Sequence, residues 1–180
     1  METHNELNIV LTGMPGAGKT YIGKKLAKLL AHFSYIDVDM EIEKREGISI
    51  EEIFSTKSEK YFREKESEII EEFSSKKNQI IAIGGGALQN NQNLDNLKKN
   101  SLIFYLKASI GELYSRIKNE KHRPLFKDDI SPLIIKDMLK NREKQYKKAH
   151  FTINTDDKQA YTILNDILSE YDNYVKNTIS

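Results

Sequence analysis

The stretch NIVLTGMPGAGKTYIGKKL (8–26) decides how the chain folds. Residues 8–12 form a short β-branched run, and Ile22, Leu26, Leu29 and Leu30 recur afterwards at helical spacing, so the segment reads as strand, loop, helix. Between them Gly13, Gly16, Gly18, Lys19 and Thr20 satisfy the spacing G-x-x-x-x-G-K-[ST]. Glycines let the backbone approach an anion in conformations that a side chain would block, so that N–H groups can surround phosphates while the lysine reaches the outer ones. The helix that follows points its N-terminus at the same anion, and Thr20 offers a hydroxyl to Mg²⁺. With glycine usage of about 7%, a chance match in a chain of this length is an event on the order of 1%. The loop therefore reads as a nucleoside triphosphate site with Mg²⁺, not as a plain turn.

Working outward, 180 residues fit one domain able to bury a core without staples. Hydrophobic content of 38% and charged content of 31% predict a soluble protein, with no apolar run long enough to span a bilayer. METHNELNIVL (1–11) lacks the pattern of a secretory leader and the chain has no cysteine, so a cytoplasmic location is expected. A net charge of +1 gives no footprint for nucleic acid. Basic residues nevertheless crowd one region: from Arg116 to Lys148 there are 11 Lys or Arg against 5 acids.

FSYIDV (33–38), QIIAI (79–83), SLIFYL (101–106) and FTIN (151–154) are further short apolar runs separated by helical patterns. Alternation of this kind predicts a parallel sheet covered on both faces. A long helical region is expected between the second and third strands. NEKHRPLFKDDISP (119–132), with two prolines and little periodicity, reads as a mobile loop, and the tail after Leu168, ending DNYVKNTIS (172–180), reads as a surface helix end.

P-loops serve kinases, GTPases, helicases and transporters alike, so the acceptor must be read elsewhere. The D-x-x-G and N-K-x-D motifs of guanine-nucleotide switches are missing. Asp37 and Asp39 in YIDVDM (35–40) are expected to end the second strand, at the sheet edge where open α/β folds gather ligands. One can lie near Mg²⁺ and the other near a reacting hydroxyl, where a carboxylate orients the group and accepts its proton. Either could instead cap a helix beginning near Met40.

Taken with GMPGAGKT (13–20), the set DVDMEIEKREGISIEEIF (37–54), YFREKE (61–66), GGGA (84–87), RPLF (123–126) and NREKQY (141–146) resembles shikimate kinase from Ile9 to about Leu168. The resemblance implies a three-layer P-loop fold of nucleoside monophosphate kinase type, with a five-stranded parallel sheet and helices on both faces. It implies one domain over 1–180, with an acceptor-binding region at about 38–74 and a lid at about 119–132. The implied reaction is transfer of the γ-phosphate of ATP to the 3-hydroxyl of shikimate. By similarity the metal-side residues are Thr20 and Asp37, and Asp39 is the catalytic carboxylate, acting with Lys19 and the lid arginine Arg123. Arg63 and Arg142 match the arginines that bind the substrate carboxylate, whose planar forks suit bidentate pairing. Glu66 matches an acid that positions Arg63, and Gly84, Gly85 and Gly86 match the glycines beside the substrate. On the nucleotide side the implied set is Gly16, Ala17, Gly18, Lys19, Thr20 and Tyr21, joined by Arg116, Arg123 and Lys158. The partner expected is a small-molecule substrate, with no nucleic acid and no membrane, and the chain is expected to be a monomer.

Two departures stand out. Ser58 precedes Glu59 where the family often has glycine, a change compatible with a helix. NTDDK (154–158) replaces a segment where some members set arginine against adenine, and Lys158 cannot stack as a guanidinium does. Two rival readings remain at this level: a kinase of the same fold for gluconate or a nucleoside monophosphate, and a regulatory module that binds without turnover.

Overall fold

The computed structural model describes residues 7–118 and 130–179. Within them β1 (Asn8–Thr12) leads through the glycine loop to α1 (Lys19–Leu29) and then β2 (Ser34–Asp37). The predicted helical region is three helices, α2 (Val38–Glu46), α3 (Ile50–Thr56) and α4 (Glu59–Ser74). After β3 (Gln79–Ala82) come α5 (Asn91–Asn100), β4 (Ser101–Lys107), α6 (Ile110–Ile117), α7 (Pro132–Tyr146), β5 (Phe151–Asn154) and α8 (Ala160–Ile179).

All five strands run parallel in the order β2-β3-β1-β4-β5. Every residue of β1 and β3 is buried, as is all of β4 but its last, which is what continuous apolar runs produce when helices cover both faces of a sheet. Helix α1 packs on β2, β3 and α8, while α4 and α5 lie against β3 and β4. Ile22 and Leu26 carry the buried face of α1 together with Gly23, where a Cβ would run into the Tyr35 ring. The missing side chain brings α1 close to β2 and holds Tyr35 in place.

Strand order also fixes where a ligand can bind. From β1 the chain travels out to β2 and back to β3 on one side, then crosses to β4 on the other. The reversal lies at β1, and the crevice beyond its carboxyl end is where doubly wound sheets take their ligands.

Two expectations are corrected. Asp37 ends β2 but Asp39 does not: α2 begins at Val38, so Asp39 lies in its first turn and Asp37 is the N-cap, accepting from Met40 N at 3.4 Å. The tail from Asp172 is the surface end of a helix, as expected: α8 runs on to Ile179, and just before that stretch buried Tyr171 donates its hydroxyl to Leu7 O at 2.8 Å. Of the predicted loop at 119–132, residues 119–129 fall outside the described residues, while Pro132 already stands at the start of α7.

The second correction concerns Ser58, which lies outside the helix as the N-cap of α4, accepting from Tyr61 N at 3.2 Å. Its φ of 151° and ψ of 166° belong to a region that only glycine enters freely. Strain there costs roughly 1–3 kcal/mol, whereas glycine replaces a serine cap at a loss of only a few tenths and has its own entropy cost of about 0.5–1 kcal/mol. Ser58→Gly is therefore expected to raise stability by about 0.5–1 kcal/mol, and Ser58→Ala, which keeps the strain and loses the cap, to lower it by about 1 kcal/mol. Urea midpoints of the two variants give the signs directly.

Candidate active site

Gly13, Gly16 and Gly18 have φ of 143°, 81° and 92°, so the loop follows a path closed to other residues. At Gly13 a Cβ would stand 2.5 Å from the Leu106 carbonyl oxygen, a backbone atom that cannot give way. Gly18 caps α1 without a side-chain hydrogen bond, which leaves the first-turn N–H groups of the helix open to an anion. Lys19 Nζ donates to Gly13 O at 2.9 Å and Met14 O at 3.1 Å, folding the lysine back over the loop.

A cavity of about 430 Å³ opens beside this loop, lined on one side by residues 16–22, including Ala17 and Tyr21, and on the other by Arg116, Lys158, Ala160 and Ile163. Arg116 spans the cavity's back, donating to Gly16 O at 3.4 Å and Thr155 O at 3.2 Å while pairing with Glu112 at 3.0 Å. Lys158 reaches Asp166 at 2.7 Å. Both residues predicted for the adenine side thus reach the cavity, each already committed to a carboxylate. Arg123 lies outside the described residues.

A second cavity of about 380 Å³ lies between the loop, the end of β3 and helices α2 to α4. Lys19 and Thr20 line both cavities, so the two spaces meet at the residues placed to hold the outer phosphate. Met40, Ile50, Phe54 and Phe62 make the wall of the second cavity apolar, and its polar groups converge at the other end.

That convergence is built on the three glycines after β3. A Cβ at Gly84 would stand 2.6 Å from Glu66 Oε1 and 3.0 Å from Asp39 Oδ1; one at Gly85, 3.2 Å from Arg142 Nη1; one at Gly86, 2.6 Å from Arg63 Nη2. Each glycine is therefore met by a different charged side chain, and a Cβ at Gly84 or Gly86 would force Glu66 or Arg63 to shift. Asp39, Arg63, Glu66 and Arg142, spread over more than half of the chain, come together here.

Asp37 lines the second cavity beside Thr20, which lines both. Its Oδ2 accepts from Thr20 Oγ1 at 2.7 Å and from the Tyr35 hydroxyl at 3.1 Å. The Tyr35 phenol is raised by burial and by Asp37, which keeps it a donor. Sequence reading missed Tyr35, although its place two residues before Asp37 on one strand sets both side chains on the same face. It also missed Tyr146, one turn after Arg142 on α7. Hydroxyl and carboxylate oxygens suit a hard divalent cation. Among the described residues no group of three or more His, Cys, Asp or Glu could hold a metal by itself, so an ion at Thr20 and Asp37 would have to complete its shell from phosphate oxygens and water.

Glu66 is strongly altered by its surroundings. It is 1% exposed, and burial lifts its carboxyl from the ordinary value of 4.5 to about 7; Asp39 adds to the rise, while Arg63 and Arg142 oppose it. Arg63 Nη1 donates to Glu66 Oε2 at 2.8 Å, and Nη2 reaches Glu59 Oε1 at 3.4 Å. Burial works against the Arg63 charge, but these two acids more than offset it and raise its pKa.

A family model described as shikimate kinase matches residues 15–172. The shikimate kinase of Thermodesulfovibrio yellowstonii is 41% identical over 165 residues, which are 92% of this chain and 95% of that protein. Among solved structures, a shikimate kinase from Acinetobacter baumannii in complex with shikimate superposes with a TM-score of 0.84 at 35% identity, covering 93% of this chain and 96% of that one. A gluconokinase from Sinorhizobium meliloti superposes with a TM-score of 0.67 at 15% identity over 98% of this chain and 97% of its own, a likeness of fold alone.

Because the folded Glu66 carboxyl holds its proton more tightly than the unfolded one, its contribution to stability is full below about pH 4.5 and is lost as pH rises through about 7. Stability of the unliganded protein relative to Glu66→Gln should therefore fall across that window. A difference between the two proteins that stays constant from pH 4.5 to 7 would mean that Glu66 ionises normally.

Proposed function

The chain belongs to the shikimate kinase family, and we propose that its two adjoining cavities hold ATP and shikimate on either side of Lys19 and Thr20. The reaction is ATP-dependent phosphorylation of shikimate at its 3-hydroxyl, giving shikimate 3-phosphate and ADP, a step of chorismate and aromatic amino acid biosynthesis. The P-loop fold is of nucleoside monophosphate kinase type.

The observation that carries the assignment of residues is the meeting of Asp39, Arg63, Glu66 and Arg142 on three consecutive glycines, next to the lysine shared with the nucleotide cavity. Arg63 and Arg142 offer two guanidinium forks to one carboxylate, enough to hold and orient a small acid. Glu66 fixes Arg63 from behind. With the carboxylate held at that end, the ring hydroxyl faces Asp39, which orients it and accepts its proton as the phosphoryl group arrives.

Phosphoryl transfer runs through a loose transition state with charge spread over the phosphoryl oxygens, so position and positive charge supply most of the catalysis. The loop N–H groups and Lys19 hold the donor phosphates in this reading, and Arg116 and Lys158 border the nucleotide's far end. Thr20 and Asp37 would hold Mg²⁺, which when bound neutralises charge between the outer phosphates. Arg123 is assigned the remaining positive charge on the transferring group. The enzyme is read as a monomer.

Purified protein should release ADP when shikimate is added to ATP and Mg²⁺, and not when gluconate or a nucleoside monophosphate replaces it. ADP release dependent on either substitute would transfer the chain to another acceptor. Asp39→Asn is expected to lower kcat by about 10²- to 10⁴-fold with ATP affinity within twofold of wild type, about the range for loss of a general base. Unchanged turnover would remove Asp39 from that role.

A further inference from the structure

Tyr146 is 1% exposed and its ring stacks on Tyr105 with centroids 4.9 Å apart. For packing alone phenylalanine would serve as well. The hydroxyl, however, donates to Gly85 O at 2.5 Å and lies 3.7 Å from Met14 Sδ in the phosphate loop. Burial pushes the phenol up to about 12, so it stays a donor at any physiological pH, even though Arg142 works against that rise through its charge and a hydrogen bond.

These contacts join elements that are far apart in sequence. Arg142 and Tyr146 are four residues apart on α7 and therefore share one face of it. Arg142 Nη1 approaches Gly85 on one side while the Tyr146 hydroxyl holds the Gly85 carbonyl on another. In a trans peptide the carbonyl and the next N–H point in opposite directions, so anchoring Gly85 O also fixes the orientation of the Gly86 N–H. Gly85, Gly86 and Arg142 all line the acceptor cavity. We infer that Tyr146 is a positioning residue that locks α7, and with it Arg142, onto the glycine segment, so that the arginine meets the substrate carboxylate in a fixed place.

The inference rests on the reading above, in which Arg142 binds that carboxylate. Its effect falls on the end of the substrate away from the reacting hydroxyl, so loss of the hydroxyl weakens ground and transition states alike and appears in KM and not in kcat. Tyr146→Phe keeps the stack and removes one buried hydrogen bond. It is expected to raise the KM for shikimate about 5- to 30-fold, with kcat within about threefold and the KM for ATP within about twofold. Added to Arg142→Ala, the same change should do little more, because the two act as a unit.

The companion variant Tyr105→Leu removes the stacking partner and keeps the hydroxyl: it should lose thermal stability while its shikimate KM stays within about twofold of wild type. An unchanged shikimate KM in Tyr146→Phe, an equal rise in the KM for ATP, full additivity with Arg142→Ala, or a matching KM rise in Tyr105→Leu would each overturn the inference. Absence of shikimate turnover in the wild-type protein would overturn the proposed function as well, which separates the two failures.

Discussion

Two glycine segments pressed together at the centre of the sheet are the constraint on which this molecule depends. Ile83 N donates to Leu11 O at 3.1 Å, which ties the end of β3 to the end of β1 just before each segment reaches its glycines. Beyond that bond Gly85 faces Gly13 O and Pro15 Cδ, so close that a Cβ would stand 3.3 and 3.2 Å from them. A side chain at Gly13 or Gly85 would force the strand ends apart. With glycine at both, one segment curves around the space for phosphates and the other forms the floor of the acceptor cavity.

Charge distribution follows from that contact. Positive groups (Lys19, Arg63 and Arg142) and acids (Asp37, Asp39 and Glu66) stand around a backbone that offers only dipoles. A buried carboxyl such as Glu66 is tolerated because two guanidiniums and a raised pKa limit the penalty of its charge. Ion pairs farther out, such as Arg45 with Glu41 and Glu72, join α2 to α4 and steady the wall of the cavity without entering it. Exposed pairs of this type contribute little to stability, roughly 0–1 kcal/mol each, so their use is in fixing which helix faces which.

Legibility from sequence varied with the range of the interaction. Gly13, Gly16, Gly18 and Lys19 were readable because positive φ and a helix N-terminus are local requirements. Arg63, Glu66 and Arg142 were readable only as parts of a motif set, since nothing in YFREKE or NREKQY states that the two meet. Ser58 was misjudged because its residue type suits a helix cap while its backbone angle, set by how α3 and α4 join, does not suit any side chain. Tyr35 was read only as part of an apolar run and Tyr146 only as the last residue of NREKQY, for the partner that gives Tyr146 its meaning is a carbonyl 61 residues away.

What the sequence by itself determined is the set of elements and the donor chemistry: the alternation of strands and helices, the phosphate loop, and the family to which the motifs point. Those depend on periodicity and backbone freedom within a few residues. Only the tertiary structure decided that Asp39 stands in a helix turn, that each of three glycines receives a different charged group, and that Tyr146 fastens α7 to one of them. Such facts depend on the strand order β2-β3-β1-β4-β5, which places distant segments side by side. Local patterning specifies each strand, but the neighbours it acquires are a property of the whole packed sheet.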